Sequence, residues 1–396
     1  MKTSQPRILL DARALQTGFK AHKFRGIGHY AKNLIEELIH LDSDYAFTFL
    51  QERGLPIEQF LSEKPRLVHK PGIMLSKCSK FIDAQWSLPK IMSRDSFELV
   101  HYLAHVDASF LTPCPYIVSV MDTITLSAKK LYSAPQRVKH LIMHDIYKHI
   151  VRRAAKVIAI SEQTKKDIMK YYEIPSDKIS VVPLAVEQRF SKQWLPTDIR
   201  NFRLRFKLPE TFILYVGGID PRKNVKIIFQ TMKALIETGQ HCPILVFAGR
   251  IEQEREYPEM MKFIRTLDIK HLIKFLGYVP DEDLPLLYQS STTFVYPSRY
   301  EGFGLPILQA MAAGTPVITT KLSSIPEVAG DAALYIDPDD PATLIQALQA
   351  LQTNNDLRSS LIVSGKQQAG KFSWKRTANE TIDVYREVLM VQKKNE

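Results

Sequence analysis

The chain has 396 residues, 45% of them apolar and 24% charged, with a formal net charge of +11. That length suits two domains of ordinary size rather than one core, and no run of about 18 apolar residues suggests a membrane-spanning helix. Cys78, Cys114 and Cys242 are too scattered for a disulfide framework or a thiolate metal motif, which leaves a reducing compartment as the expectation.

In chain order, short β-branched runs alternate with helical patterns. The opening MKTSQPRILLDAR reaches a charge too early for a signal peptide, so the expected location is the cytoplasm. Strands are predicted at RILLDA, YAFTFL, RLVHK, ELVHYL, YIVSVMD and KVIAIS, with a helix at GHYAKNLIEELIHL. After a strand-like ISVVPLAV, the stretch PLAVEQRFSKQWLPTDIRN is rich in proline and polar residues and marks a domain break. Beyond it come FILYVGG, PILVFAG, IKFLGYV, TTFVYPS, PVITT and ALYID, with helices at NVKIIFQTMKALIETG and DPATLIQALQAL. The tail FSWKRTANETIDVYREVLMVQKKNE reads as one amphipathic helix. Strands alternating with helices imply parallel sheets covered on both faces. Two sets of about six strands predict an α/β chain of two Rossmann-like, doubly wound domains, residues 1–190 and 191–375, with a final helix over 376–396. Two such domains would face each other across a cleft lined by the carboxyl ends of both sheets, where ligands of such sheets bind.

Charge is uneven. Residues 1–190 carry 28 Lys and Arg against 19 Asp and Glu, whereas residues 191–396 carry 25 against 23. The excess lies between Lys129 and Lys170, around PQRVKHLIMHDIYKHIVRRAAK. It reads either as a solvated helix face or as a surface attracted to an anionic membrane leaflet. No recognition module or aromatic–basic interleaving accompanies it, which disfavours nucleic acid.

Three glycine-containing motifs carry the candidate chemistry. In KFRGIGHYAKNL, Gly26 and Gly28 precede a helix and allow backbone to approach an anion. Ala31 stands where a dinucleotide fingerprint would have its third glycine, which disfavours a nicotinamide enzyme. In YVGGIDPRKN a strand ends at Gly217-Gly218, and Arg222 and Lys223 stand at a helix entry expected near Asn224. Cations there oppose the helix dipole, so the local sequence supplies no stabilising reason for them, and a shared anion such as pyrophosphate would supply one. In SRYEGFGLPILQAMAAGTP, Pro306 fits the first position of a two-turn helix and Gly314 its C-cap. The amides of Gly304 and Leu305 would open an anion site there, with Glu301 at the same mouth accepting hydrogen bonds from hydroxyls, and with Gln309 able to point back toward it. Asp337, Asp339 and Asp340 in IDPDDPATL read as a helix cap rather than a metal cluster, and His101 and His105 as structural histidines. No Gly-x-Ser-x-Gly elbow is present.

Together these segments resemble the retaining glycosyltransferases of family 4, of GT-B architecture. The resemblance runs through GIGHYAKNL, VIAISEQTKKDI, VVPLAVEQRF, GGIDPRKN, FAGR, LGYVPDEDLPLLY, YPSRYEGFGLPILQAMAAGTPVI, SSIPEVAGDAALYIDP and FSWKRTANETIDVYREV, in that order. It implies transfer of a sugar from a nucleoside diphosphate sugar with retention at the anomeric carbon and no metal. The donor would lie on the C-terminal domain and the acceptor, a glycan or lipid-linked glycan, on the N-terminal one. The motif style is similar to bacterial surface-polysaccharide mannosyltransferases, which implies GDP-mannose. By the same resemblance, Arg222 and Lys223 would hold the pyrophosphate, Gly218 and Gly28 would approach the donor, and Glu301 would contact sugar hydroxyls. Phe303, Gly304 and Leu305 would lie along the sugar and phosphates, and Arg250, Gly277 and Tyr278 around the base.

Two departures from the family pattern stand out. Gln309 replaces the second acid of the Glu-x7-Glu pattern, keeping a carbonyl acceptor without the charge. Met121-Asp122 replaces His-Asp, which leaves Asp122 as the polar group at that point. These departures keep a second reading open, a catalytically weak subunit supporting a partner transferase. A third is a nucleotide-sugar epimerase, which would leave the basic N-terminal half without a purpose.

Overall fold

The computed structural model describes residues 5–15, 26–41, 44–52, 67–70, 85–86, 88–90, 92–128, 131 and 134–395. Lys23 to Arg25 of the first glycine motif, Cys78, and Lys129 and Lys130 at the start of the basic stretch lie outside the described residues. The chain divides into two compact units. The first holds residues 1–127, 133–184 and 374–396, and the second residues 128–132 and 185–373.

Among the described residues the first unit is built on seven strands, β1 (Arg7–Asp11), β2 (Ala46–Glu52), β3 (Leu67–Lys70), β4 (Leu99–Tyr102), β5 (Tyr116–Val120), β6 (Lys156–Ala159) and β7 (Ile179–Val181). They form one sheet in the order β3-β2-β1-β4-β5-β6-β7. All its pairings are parallel, with Ile8 of β1 aligned to Phe47 on one side and Leu99 on the other. Central strands such as β1 are unbroken apolar runs because both faces are covered; Ile8, Leu9 and Leu10 are fully buried. The strand-like ISVVPLAV supplies β7, an edge strand of this sheet.

The C-terminal helix, Trp374–Asn395, belongs to this first unit. Its Tyr385 hydroxyl meets His101 Nδ1 at 2.6 Å, and Thr377 donates to the Pro183 carbonyl at 2.7 Å. The other nitrogen of His101, Nε2, is 2.9 Å from Ser119 Oγ, which also meets the Tyr30 hydroxyl at 2.8 Å. His101 is therefore a satisfied structural histidine. Burial holds it neutral, with its pKa lowered from 6.5 to about 3.

The second unit carries β8 (Ile213–Val216), β9 (Leu245–Ala248), β10 (Ile273–Gly277), β11 (Thr293–Tyr296), β12 (Val317–Thr320) and β13 (Leu334–Ile336). Their order is β10-β9-β8-β11-β12-β13, again all parallel. β8 and β11 are neighbours, with Phe294 opposite Leu214, although two strands and their helices separate them in sequence. The chain winds one way from β8 and the other way from β11. The loops leaving their carboxyl ends therefore share one mouth, the topological switch point of this sheet. The YVGGIDPRKN and SRYEGFG motifs are these two loops.

Candidate active site

At the end of β8 the chain turns through Gly217, whose φ of 150° favours glycine, and then Gly218, into a short 3-10 turn, Pro221–Lys223. The Asp220 carboxylate caps that turn by accepting Arg222 N–H at 3.1 Å. Asn224 follows in the left-handed region at φ 53° and donates from Nδ2 to the Pro338 carbonyl at 2.8 Å; the long helix starts only at Lys226. Arg222 and Lys223 thus stand on a turn of their own, not at the helix entry expected from the sequence. The loop after β11 is tied to this turn by Arg299 N–H, which donates to the Arg222 carbonyl at 2.7 Å.

Between the two loops lies the Glu301 carboxylate, only 7% exposed. Its Oε2 is 3.0 Å from Arg222 Nη1, and its Oε1 is 2.8 Å from Lys223 Nζ. Oε1 also accepts the hydroxyls of Tyr296 at 3.0 Å and Ser298 at 2.5 Å. Lys223 donates to the Tyr296 hydroxyl as well, and its ammonium lies 4.7 Å from the centre of that ring. The backbone of this loop is pinned from behind, where Ser323 Oγ donates to the Glu301 carbonyl at 2.7 Å and Ser324 Oγ to that of Phe303 at 2.9 Å.

Burial by itself would raise the Glu301 carboxyl, but Lys223 and then Arg222 outweigh it and hold the group down at about 2. Burial acts on Lys223 in the opposite sense, pulling the ammonium down to about 8 against the attraction of Glu301. Truncating one partner of such a buried pair leaves the other charge uncompensated, at a cost of about 3–5 kcal/mol. The stabilising reason for Arg222 and Lys223 that the local sequence lacks is supplied from a distance. Their partner is Glu301, 78 residues beyond Lys223, invisible to any local reading. The result is a planar guanidinium and an ammonium side by side at a switch point, a donor set suited to phosphate oxygens.

The remaining candidates divide between the units. Gly304, at φ 108°, is the N-cap of the Leu305–Ala313 helix, and Gly314, at φ 80°, is its C-cap. Pro306 is the second residue of that helix rather than the first, a shift of one position. Phe303 is buried and meets Phe372 edge to face at 5.7 Å, so its ring serves the core. Gln309 is buried, and its Oε1 accepts the Tyr288 hydroxyl at 3.3 Å. Arg250 lies 4.2 Å over the exposed ring of Tyr278, next to Gly277 at φ 65°. Asp122 and Gly28 belong to the first unit. Asp122 follows β5 and accepts Ile124 N–H at 3.1 Å, while Gly28 is buried in the first turn of the Gly26–His40 helix. Asp340 caps its helix through Ala342 N–H at 2.9 Å and Asp339 pairs with Arg299; among the described residues no group of three or more His, Cys, Asp or Glu could hold a metal. Among the described residues no helix is long and apolar enough to cross a membrane.

Tyr296, Ser298 and the serine pair behind Glu301 escaped the sequence reading. Tyr296 ends an apolar strand and looks like core. The Ser-x-x-Glu spacing from Ser298 to Glu301 was the available signal, here closing a turn instead of capping a helix.

Two units, each built on an all-parallel α/β sheet, are the fold class of the GT-B architecture. Two family models then match consecutive parts of the chain, Glycosyltransferase Family 4 over residues 24–189 and Glycosyl transferases group 1 over residues 197–368. The chain belongs to this glycosyltransferase family. It is 35% identical over 236 residues to the O-antigen chain mannosyltransferase B of Escherichia coli, an alignment covering 58% of this chain and 60% of that one. Among solved structures, the sucrose-phosphate synthase of Thermosynechococcus elongatus superposes with a TM-score of 0.76 at 18% identity, covering 98% of this chain and 100% of that one. HepE of Anabaena, solved with UDP and glucose, gives 0.74 at 16% identity, covering 96% and 99%. These two likenesses establish the fold.

Proposed function

We propose that the chain transfers a sugar, mannose from GDP-mannose, to a glycan or lipid-linked glycan acceptor during surface-polysaccharide synthesis, with retention at the anomeric carbon and without a metal. The observation that carries this reading is the Arg222–Lys223–Glu301 cluster at the β8–β11 switch point. Arg222 and Lys223 bind the donor diphosphate and stabilise the charge that develops on it as the glycosidic bond breaks. Glu301 keeps both cations in place and Lys223 protonated, and its carboxylate can accept a sugar hydroxyl beside them. The exposed Arg250–Tyr278 pair offers a flat, cationic surface for a nucleotide base. Similarity to an O-antigen mannosyltransferase supports mannose as the sugar. On the first unit, Asp122 is the proposed polar group toward the acceptor, and the basic stretch is the proposed contact with an anionic membrane at the cytoplasmic face.

A thermal-shift panel of GDP-, UDP-, ADP- and dTDP-sugars tests the donor, since stabilisation follows the ratio of ligand to its dissociation constant. The largest shift is expected with GDP-mannose. A response no larger than that to UDP-glucose removes the GDP-mannose assignment, and no response to any of them removes the transferase reading.

A further inference from the structure

The loop after β8 already holds an anion that belongs to the chain. Glu254, in the turn segment between β9 and the Tyr257–Thr266 helix, lays its carboxylate against Gly218. Its Oε2 accepts Ile219 N–H at 2.9 Å, and a Cβ placed on Gly218 would collide with Oε1. Gly218 is thus the residue that lets this carboxylate reach the backbone. The Tyr215 hydroxyl, which donates to the Gly218 carbonyl at 2.6 Å, lies within electrostatic reach of Glu254, Glu301, Arg222 and Asp220 alike. Glu254 is therefore held on the same loop that carries Arg222 and Lys223.

A carboxylate on a backbone N–H of the loop that carries a guanidinium and an ammonium occupies the kind of position that a phosphoryl oxygen seeks. Two anions cannot share such a loop without repulsion. Glu254 is only partly buried, and its neighbours Glu252, Gln253 and Arg255 are exposed, so the side chain can leave the loop without opening the core. We infer that Glu254 is an affinity-setting residue of the donor site, whose carboxylate holds the Gly218–Ile219 loop until the diphosphate of the donor displaces it. The inference rests on the reading of the second unit as a nucleoside diphosphate sugar site. It makes binding an exchange of one anion for another, which weakens the hold on the nucleoside diphosphate product as well as on the donor.

The test is calorimetric titration of GDP, UDP and GDP-mannose into the full chain, comparing wild type with Glu254→Ala and Glu254→Gln. Glu254→Ala is expected to bind the nucleoside diphosphate about tenfold more tightly, the effect of removing one charge-assisted hydrogen bond from the competing state. Glu254→Gln, which keeps a weaker carbonyl acceptor for Ile219 N–H, is expected to fall between the two. Unchanged or weaker nucleoside diphosphate binding by Glu254→Ala overturns the inference while leaving the donor site standing. Weakening confined to GDP-mannose also overturns it, making Glu254 a sugar ligand. If neither wild type nor variants bind any of the three, the donor-site reading fails and the inference falls with it.

Discussion

Lys223 concentrates the energetics of the site in one ammonium. Burial brings its pKa to about 8, and Glu301 opposes that pull, so the charge on which the proposed phosphate contact depends is lost as pH rises through 8. The pH dependence of kcat/KM, which reports groups of the free enzyme, should therefore show a basic limb near 8. Glu301→Gln removes the attraction that keeps Lys223 charged, so the limb should move to lower pH; a limb that stays in place would separate Glu301 from Lys223. Tyr296→Phe deletes one donor to Glu301 and one acceptor from Lys223. It should cost about 1 kcal/mol of stability in urea unfolding and reduce kcat/KM, with Lys223 still paired. At this scale the sequence showed Glu301, Arg222 and Lys223 as candidates but not their bond, because an ion pair closed over 78 residues leaves no spacing to read. It also gave no hint of Glu254, one acid among several in an exposed turn.

Among the elements, the short Leu305–Ala313 helix is bounded by two glycines with different duties. Gly314, at φ 80°, ends the helix, and a Cβ there would press within 2.8 Å of Lys366 Cε. Gly304, at φ 108°, opens it beside Glu301, and a Cβ there would meet only Ile307 Cδ1 at 3.5 Å. Alanine at either position meets backbone strain of order 1–3 kcal/mol. Both variants should therefore lose stability by denaturant unfolding, but only Gly304→Ala should also weaken nucleoside diphosphate binding. Equal weakening by Gly314→Ala would mean that the helix as a whole, not its entrance, sets the site. These glycines were legible because Gly-Phe-Gly before a proline and Gly-Thr-Pro after an alanine run are chemically specific punctuation. The helix expected near Asn224 starts two residues later, at Lys226, because Asn224 is left-handed and ends the Pro221–Lys223 turn, its side chain tied to the Pro338 carbonyl of a remote loop.

At the scale of the whole molecule, each unit is a Rossmann-like sheet whose apolar strands announce themselves in the sequence. The polar contacts that tie distant elements to each sheet do not. In the first unit the C-terminal helix is fastened through Tyr385 to a histidine kept neutral by burial. Because the folded-state pKa of His101 lies below the unfolded value, its contribution is complete above about 6.5 and is lost progressively as pH falls from there toward 3. Urea unfolding of the first unit should show that loss, and His101→Gln should flatten it. In the second unit, Arg222 and Lys223, fixed by Glu301, are the proposed diphosphate site. Calorimetric titration of GDP into wild type and Arg222→Ala tests it most directly. Clear binding by wild type, weakened about a hundredfold in the variant, is the predicted result; equal affinity in the two proteins would contradict it.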